Sequence, residues 1–180
     1  MTKTNKNTPD KSKKNLSNLY KIAALVIIII IALYLILVNI GKSTKNNDEE
    51  YMFRKDGELT FFDSTGKAAE KIDIQIAKDE FDRELGLMFR KSMEENQGML
   101  FIFPDVQVRN FWMRNTLIPL DMFFISESQM IINIAKNTTP YSDSSYASTG
   151  PAKYVLEVNG GFADRNNITP GMKIEWTFRH

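Results

Sequence analysis

The sequence predicts a compact, mainly β domain behind an N-terminal transmembrane helix, and three observations lead there. First, Ile22 to Ile40 reads IAALVIIIIIALYLILVNI, nineteen residues with no charge and one strongly polar side chain, Asn39. As a helix this stretch is ~28 Å long, close to the ~30 Å hydrocarbon core of a bilayer. Second, apolar and polar residues alternate at Ile72, Ile74 and Ile76, and again at Met172, Ile174, Trp176 and Phe178. That period belongs to strands with one buried face. Third, turn-forming clusters cut the remaining chain into short runs. They are Asp63-Ser64-Thr65-Gly66, Pro104-Asp105, Asn159-Gly160-Gly161 and Pro170-Gly171.

Charge orients the first helix. Six lysines and one acid, Asp10, precede it, a balance of +5 over residues 1–21. The lysine excess places the N-terminus in the cytoplasm. This divides the chain into a basic tail (1–21), a transmembrane anchor (22–40), a polar linker (41–50) and an outward-facing domain (51–180). A cleaved signal peptide is the rival reading. Its apolar core is ordinarily ~7–15 residues and ends at a small-x-small site, whereas here the exit reads Val38-Asn39-Ile40-Gly41-Lys42. Either way the folded part lies outside the cytoplasmic membrane, in a periplasm or the extracellular space.

The elements of that domain follow in order. Residues 1–18, rich in Lys, Asn, Thr and Ser, read as a disordered tail. Glu58–Phe62 reads as a strand, and Ile72–Ile76 as a second. Asp79 stands where a helix N-cap belongs, with Asp82 three residues on. Phe81, Leu85 and Met88 have helical spacing, and Gly86 ends this short helix. Met99–Phe103 is an apolar run of strand length closed by Pro104-Asp105. Strands at Val108–Met113, Asp121–Ile125 and Gln129–Ile134 follow. A long loop rich in Ser, Thr, Tyr and Pro spans 135–153, then comes a strand at Tyr154–Val158. Residues 162–167 suit one helical turn, and Met172–Phe178 the last strand. About seven short strands and one or two small helices predict a partly closed, β-barrel-like domain.

Composition removes several chemistries. There is no cysteine, and the only histidine is the final residue, His180. Disulfides, thiol nucleophiles and thiolate metal sites are therefore excluded. A histidine triad or metal cluster would need a chain terminus. No cofactor or metal is expected. The 51–180 segment carries 15 Lys+Arg against 18 Asp+Glu, net −3, which disfavours nucleic acid. The expected partners are the lipid bilayer, through 22–40, and an envelope glycan or membrane protein.

One stretch is unlike generic strand-turn-strand: Asn110-Phe111-Trp112-Met113-Arg114-Asn115-Thr116-Leu117-Ile118-Pro119-Leu120-Asp121. Upstream stand Arg83, Gly86-Leu87-Met88-Phe89-Arg90 and Gly98-Met99-Leu100-Phe101, and downstream Tyr154-Val155-Leu156-Glu157. Over about residues 70–178 these four motifs, in this order, closely resemble the bacterial and archaeal family called domain of unknown function 192. The resemblance implies a small, mainly β domain, often behind a signal peptide or anchor. It implies no particular activity.

The residues themselves suggest where a site would lie. On a strand, Phe111 and Met113 share the core face, and Trp112 and Arg114 the other. Asn115 tolerates a left-handed turn and Pro119 fixes φ, which returns the chain so that Asp121 can approach Arg114. That pair reads either as a structural lock or as an anion clamp in which Asn115 and Asp121 orient a polar ligand. Glu157 sits in an apolar strand. It is expected to face water or to pair with Arg83 or Arg114, with a half-buried carboxylate of raised pKa as the alternative. Arg83 and Arg90 read as solvating the short helix, with an anion site as the alternative. Met88, Met93, Met99, Met113 and Met122 read as core filler. Tyr141 and Tyr146 lie in the 135–153 loop, and a ligand groove is expected where this loop meets Trp112 and Arg114.

Two kinds of function fit these residues. The first is a non-enzymatic, membrane-tethered binding domain using Trp112, Arg114, Asn115, Asp121, Glu157, Arg83 and Tyr146. The second is a carboxylate-based glycan hydrolase with Asp121 and Glu157 as the acid/base pair, at the separations such pairs need. A structural subunit of a membrane complex is a third possibility.

Overall fold

A computed structural model describes residues 20–38 and 52–179. Residues 1–19, 39–51 and 180 lie outside the described residues, and with them the expected disordered tail of residues 1–18 and the linker. The chain divides into two compact units at residues 50 and 51.

Helix α1 (Tyr20–Val38) is the described part of the first unit. Its nineteen residues are long and apolar enough to cross a bilayer. Its apolar side chains are exposed all the way round, as a lipid-facing helix requires.

The second unit is a mixed sheet with two covered faces. Its strands are β1 (Gly57–Phe62), β2 (Ala68–Ala77), β3 (Gln97–Gln107), β4 (Asn110–Phe111), β5 (Leu120–Ile125), β6 (Ile131–Ala135), β7 (Tyr146–Ala147), β8 (Ala152–Asn159) and β9 (Lys173–Phe178), with helices α2 (Glu80–Leu85) and α3 (Phe162–Arg165). Seven strands form one sheet in the order β6-β5-β8-β3-β2-β1-β9, while β4 and β7 form a separate ribbon. Every neighbouring pair is antiparallel except β2 and β3. Parallel neighbours need a crossover, and α2 lies in it.

The alternating residues pack as their period predicts. Leu59, Phe61, Ile72, Ile74, Leu100, Phe123, Leu156 and Ile174 point to one face and join Phe162 and Ile168 in a first core. The opposite face of β2, β3, β5 and β8 is also covered. There Met99, Phe101, Met113, Met122, Phe124 and Val155 form a second core with Leu87. Consequently all six residues of β5 are buried. Four of the five methionines are core filler, as expected: Met99, Met113 and Met122 are buried in this second core and Met93 packs against it, whereas Met88 belongs to neither core and is half-buried at the surface.

Four expectations change. The sheet is not closed into a barrel. Its two edges meet around one isolated bridge, Met130 to Lys173, where Ile131 N donates to Met172 O and Ile174 N to Gln129 O, each at 2.9 Å; the edge residues Ile131 and Ile174 share the first core, but no continuous ladder joins the edges. Pro104 does not end β3. The β3–β8 register shifts between Ile102 and Gln107, and such irregularities tolerate a residue without an N–H. The strand expected at Val108–Met113 shrinks to β4, whose partner β7 lies inside the expected loop. Finally, α2 is capped as predicted, with Asp82 N donating to Asp79 Oδ1 at 2.8 Å and Gly86 at its C-cap, yet it buries no residue. Phe81 is 63% exposed.

Candidate functional site

The turn after β4 is built from local geometry. Asn115 adopts φ 57°, a left-handed conformation that Asn tolerates. Met113 N donates to Ser142 O at 3.0 Å, Tyr141 N to Thr116 O at 3.1 Å and Phe89 N to Asn115 O at 2.9 Å. Met113 is thereby fully buried while Trp112 and Arg114 point outward, the alternation expected although the strand itself ends at Phe111. The Arg114 guanidinium lies 4.3 Å from the Trp112 ring centroid.

Beside this turn lies a groove of about 590 Å³. Helix α2 supplies one wall with Glu80, Arg83 and Glu84, continued by Met88; Phe103, Asn110, Phe111 and Trp112 line the rest. The aromatic part is fixed from behind. Phe111 meets Phe101, Phe103 and Phe124 edge-on at centroid distances of 5.2, 6.2 and 6.1 Å. Phe103 carries the Arg109 guanidinium at 3.9 Å and that of Arg83 at 5.5 Å. Arg109 is itself tied down by Asp105 Oδ1 at 2.8 Å and Ala152 O at 3.1 Å. Arg83 also donates to the carbonyls of Lys78 and Ile102. Trp112 remains 51% exposed.

Of the seven residues singled out from sequence, Arg83 and Trp112 therefore share the groove. Arg114 stands at its edge, where its Nε donates to Asp143 Oδ1 at 2.8 Å. Asn115 touches the groove residue Met88, its Nδ2 3.9 Å from the thioether sulfur. Tyr146 backs the groove, paired with Phe111 across the ribbon, and its hydroxyl accepts from Thr139 N at 3.0 Å. The 135–153 loop touches Arg114 through Asp143 and Met113 through Ser142, but it supplies none of the residues that line the groove, whose second wall is α2 and not this loop.

Asp121 does not join them, and its expected approach to Arg114 is corrected. It is fully buried. Its Oδ1 accepts from Asn137 N at 2.8 Å and Gly161 N at 3.0 Å, and its Oδ2 from Ala163 N at 2.8 Å. Three backbone donors occupy this carboxylate, which ties the turn after β8 and the start of α3 to β5.

Glu157 is corrected as well. It pairs with neither Arg83 nor Arg114 and is only 4% exposed. It stands in a row that crosses four strands, Gln75, Met99, Glu157 and Met122. Above this row enters Arg90, also 4% exposed and so not the solvated residue expected. Its Nη2 donates to Gln75 Oε1 at 2.6 Å, while its buried Nε has no partner. Burial pushes the Glu157 carboxyl up to about 8, opposed by the Arg90 charge. Burial also lowers the Arg90 pKa, with Arg54 adding to the effect and Glu157 opposing it. The register pairs Met122 with Glu157 and Asp121 with Val158, so the two carboxylates point to opposite faces of the sheet. They cannot flank one bond, and the paired-carboxylate hydrolase has no geometric support. Among the described residues no group of His, Cys, Asp and Glu is placed to hold a metal ion.

Sequence reasoning missed Gln75, Phe103, Glu80 and Glu84, and it placed Arg90 at the surface where the structure buries it. Phe89 adopts φ 64° and turns the chain just before Arg90, so a helical period extended past Gly86 misplaces that side chain.

Several known proteins share this architecture. A solved structure of a proposed transcription regulator from Sinorhizobium meliloti superposes with a TM-score of 0.65 at 35% identity, covering 67% of this chain and 93% of that one. A protein of unknown function from Novosphingobium aromaticivorans gives 0.63 at 37% identity, covering 66% and 84%. A UPF0127 protein of Pyrococcus furiosus is 25% identical over 111 residues, 59% of this chain and 88% of that protein. The model of an uncharacterised family, domain of unknown function 192, matches residues 61–176. This match spans β1 to β9 and includes all four motifs, and the chain belongs to that family.

Proposed function

We propose that this chain is a single-pass membrane protein whose folded domain works outside the cytoplasmic membrane by binding an envelope component, with no chemistry of its own. The lysine-rich tail before α1 supports this orientation. The groove carries the binding reading. It joins a half-exposed indole, two buttressed phenylalanines and a polar helix wall in a space the size of a small-ligand or peptide site. Asp121 has a structural job, and Glu157 stands on the other face of the sheet, so hydrolysis by that pair has no support. The net −3 of residues 51–180 likewise offers nothing to the phosphates of a duplex.

The test is a comparison of the wild-type chain, held in phosphatidylcholine nanodiscs, with W112A/R114A. Retention is measured on isolated cell-wall sacculi and on immobilised envelope membrane proteins. Both side chains are exposed, so circular dichroism should match wild type. Loss of retention on one of the two materials is expected. Equal retention by both proteins on each material would refute this placement of the site.

A further inference from the structure

Resting on the groove reading, we infer that the occupant is a cationic, partly aliphatic segment of a partner polypeptide. Glu80 and Glu84 stand one helical turn apart on α2 and both line the groove. Both are exposed, and among the described residues neither has an ion pair. Asp82, between them in sequence, does pair, with Arg54 at 3.7 Å. Arg83 forms no ion pair with either: its guanidinium donates to the carbonyls of Lys78 and Ile102 and lies against Phe103. The helix wall therefore presents two open carboxylates to whatever enters, at the i,i+4 spacing that lets one cation approach both.

The opposite wall favours aliphatic side chains over sugar rings. Sugar stacking needs a clear aromatic face. Phe103 has Arg109 and Arg83 against its ring, and Arg114 lies over one face of the half-exposed Trp112 ring. Phe111 is held edge-on by three other rings. These surfaces, with the flexible thioether of Met88, suit Leu, Ile or Val beside a Lys or Arg.

The experiment uses the full chain in phosphatidylcholine nanodiscs and three fluorescent peptide libraries of about nine residues, with Lys, Glu or Ser fixed at the centre and Leu-rich flanks. Anisotropy should detect binding of the Lys library only, weakening with salt. E80Q/E84Q should weaken it about 10-fold, the yield of two partly exposed charge contacts, and W112A should weaken it too. Both variants change exposed side chains, and a thermal melt confirms their fold. Equal binding of the Lys and Glu libraries, unchanged affinity in E80Q/E84Q, or no binding of any library would overturn the inference. If the inference falls while W112A/R114A still abolishes retention on sacculi or membrane proteins, the groove reading survives alone. If retention also survives that double substitution, both fall.

Discussion

Replacing Glu157 by Gln should stabilise the domain at neutral pH and remove most of its pH dependence between 5 and 8. An unfolded Glu titrates near 4.5, whereas burial raises the folded group to about 8. Between those values the folded state holds one proton that the unfolded state has released. Stability therefore falls as pH rises through this window, and it is greatest below the unfolded pKa. Each pH unit is worth about 1.4 kcal/mol, so raising the pH from 5.5 to 7.5 should cost about 3 kcal/mol. Gln keeps the shape and polarity of the protonated acid and cannot ionise. At pH 7.5 E157Q should thus gain about 3–4 kcal/mol over wild type, and at pH 5 the two should be nearly equal. Glu58 does not confuse the result. Its hydrogen bonds to Lys71 and then Lys55 hold it at about 2, so its own loss of stability on acidification falls below pH 4.5. Urea unfolding of residues 51–180, followed by fluorescence at several pH values, provides the measurement. A flat wild-type profile from 5.5 to 7.5, or an E157Q protein weaker than wild type at 7.5, would refute the argument.

Other predictions follow from the same contacts. D121N should cost about 2–4 kcal/mol, because an amide oxygen and an NH₂ group replace a carboxylate that accepts three backbone donors; thermal unfolding checks it. G98A should lose about 1–3 kcal/mol, since a Cβ there meets Glu157 O and Val158 Cγ1 at 2.9 Å and Ile72 Cδ1 at 3.2 Å; its urea midpoint should drop. A cysteine placed at the exposed Ser64 should react with a membrane-impermeant thiol reagent in intact cells or, for a periplasmic domain, in spheroplasts. Labelling only after the cytoplasmic membrane is broken would reverse the proposed orientation.

The sequence was most readable where a local rule acts alone. Asp79 and Gly86 bound α2 because capping is decided within four residues. The alternation at Ile72–Ile76 and at Ile174 marks the face of the first core because that face is apolar at every second residue, although Gln75 on the other side of β2 is buried too and Phe178 at the end of β9 is exposed. It was least readable where a second layer intervenes. Met99 and Phe101 on one side and Leu100 on the other are all buried, so no period reveals which residues cover them. The β4–β7 ribbon consists of two residues on each side, too short for any pattern. In the site, the alternation that buries Met113 and exposes Trp112 and Arg114 matched the sequence period, although these residues follow β4 in a turn and do not lie on a strand. The burial of Arg90 depends on the backbone turn at Phe89, and the isolation of Asp121 from Arg114 depends on where Gly161 and Ala163 fall in three dimensions.

The crossover between β2 and β3 has a mechanical consequence. Its helix is pinned at both ends to adjacent inner strands but sinks no side chain into either core. The aromatic side of the cleft is braced from beneath by stacked rings. One jaw is therefore stiff and the other compliant. A guest too wide for the resting cleft would be admitted by the acidic jaw swinging outward, at the expense of the Arg83 contacts to Ile102 O and the Phe103 ring, and hydrogen exchange should find the amides of that jaw among the fastest in the sheet's connections.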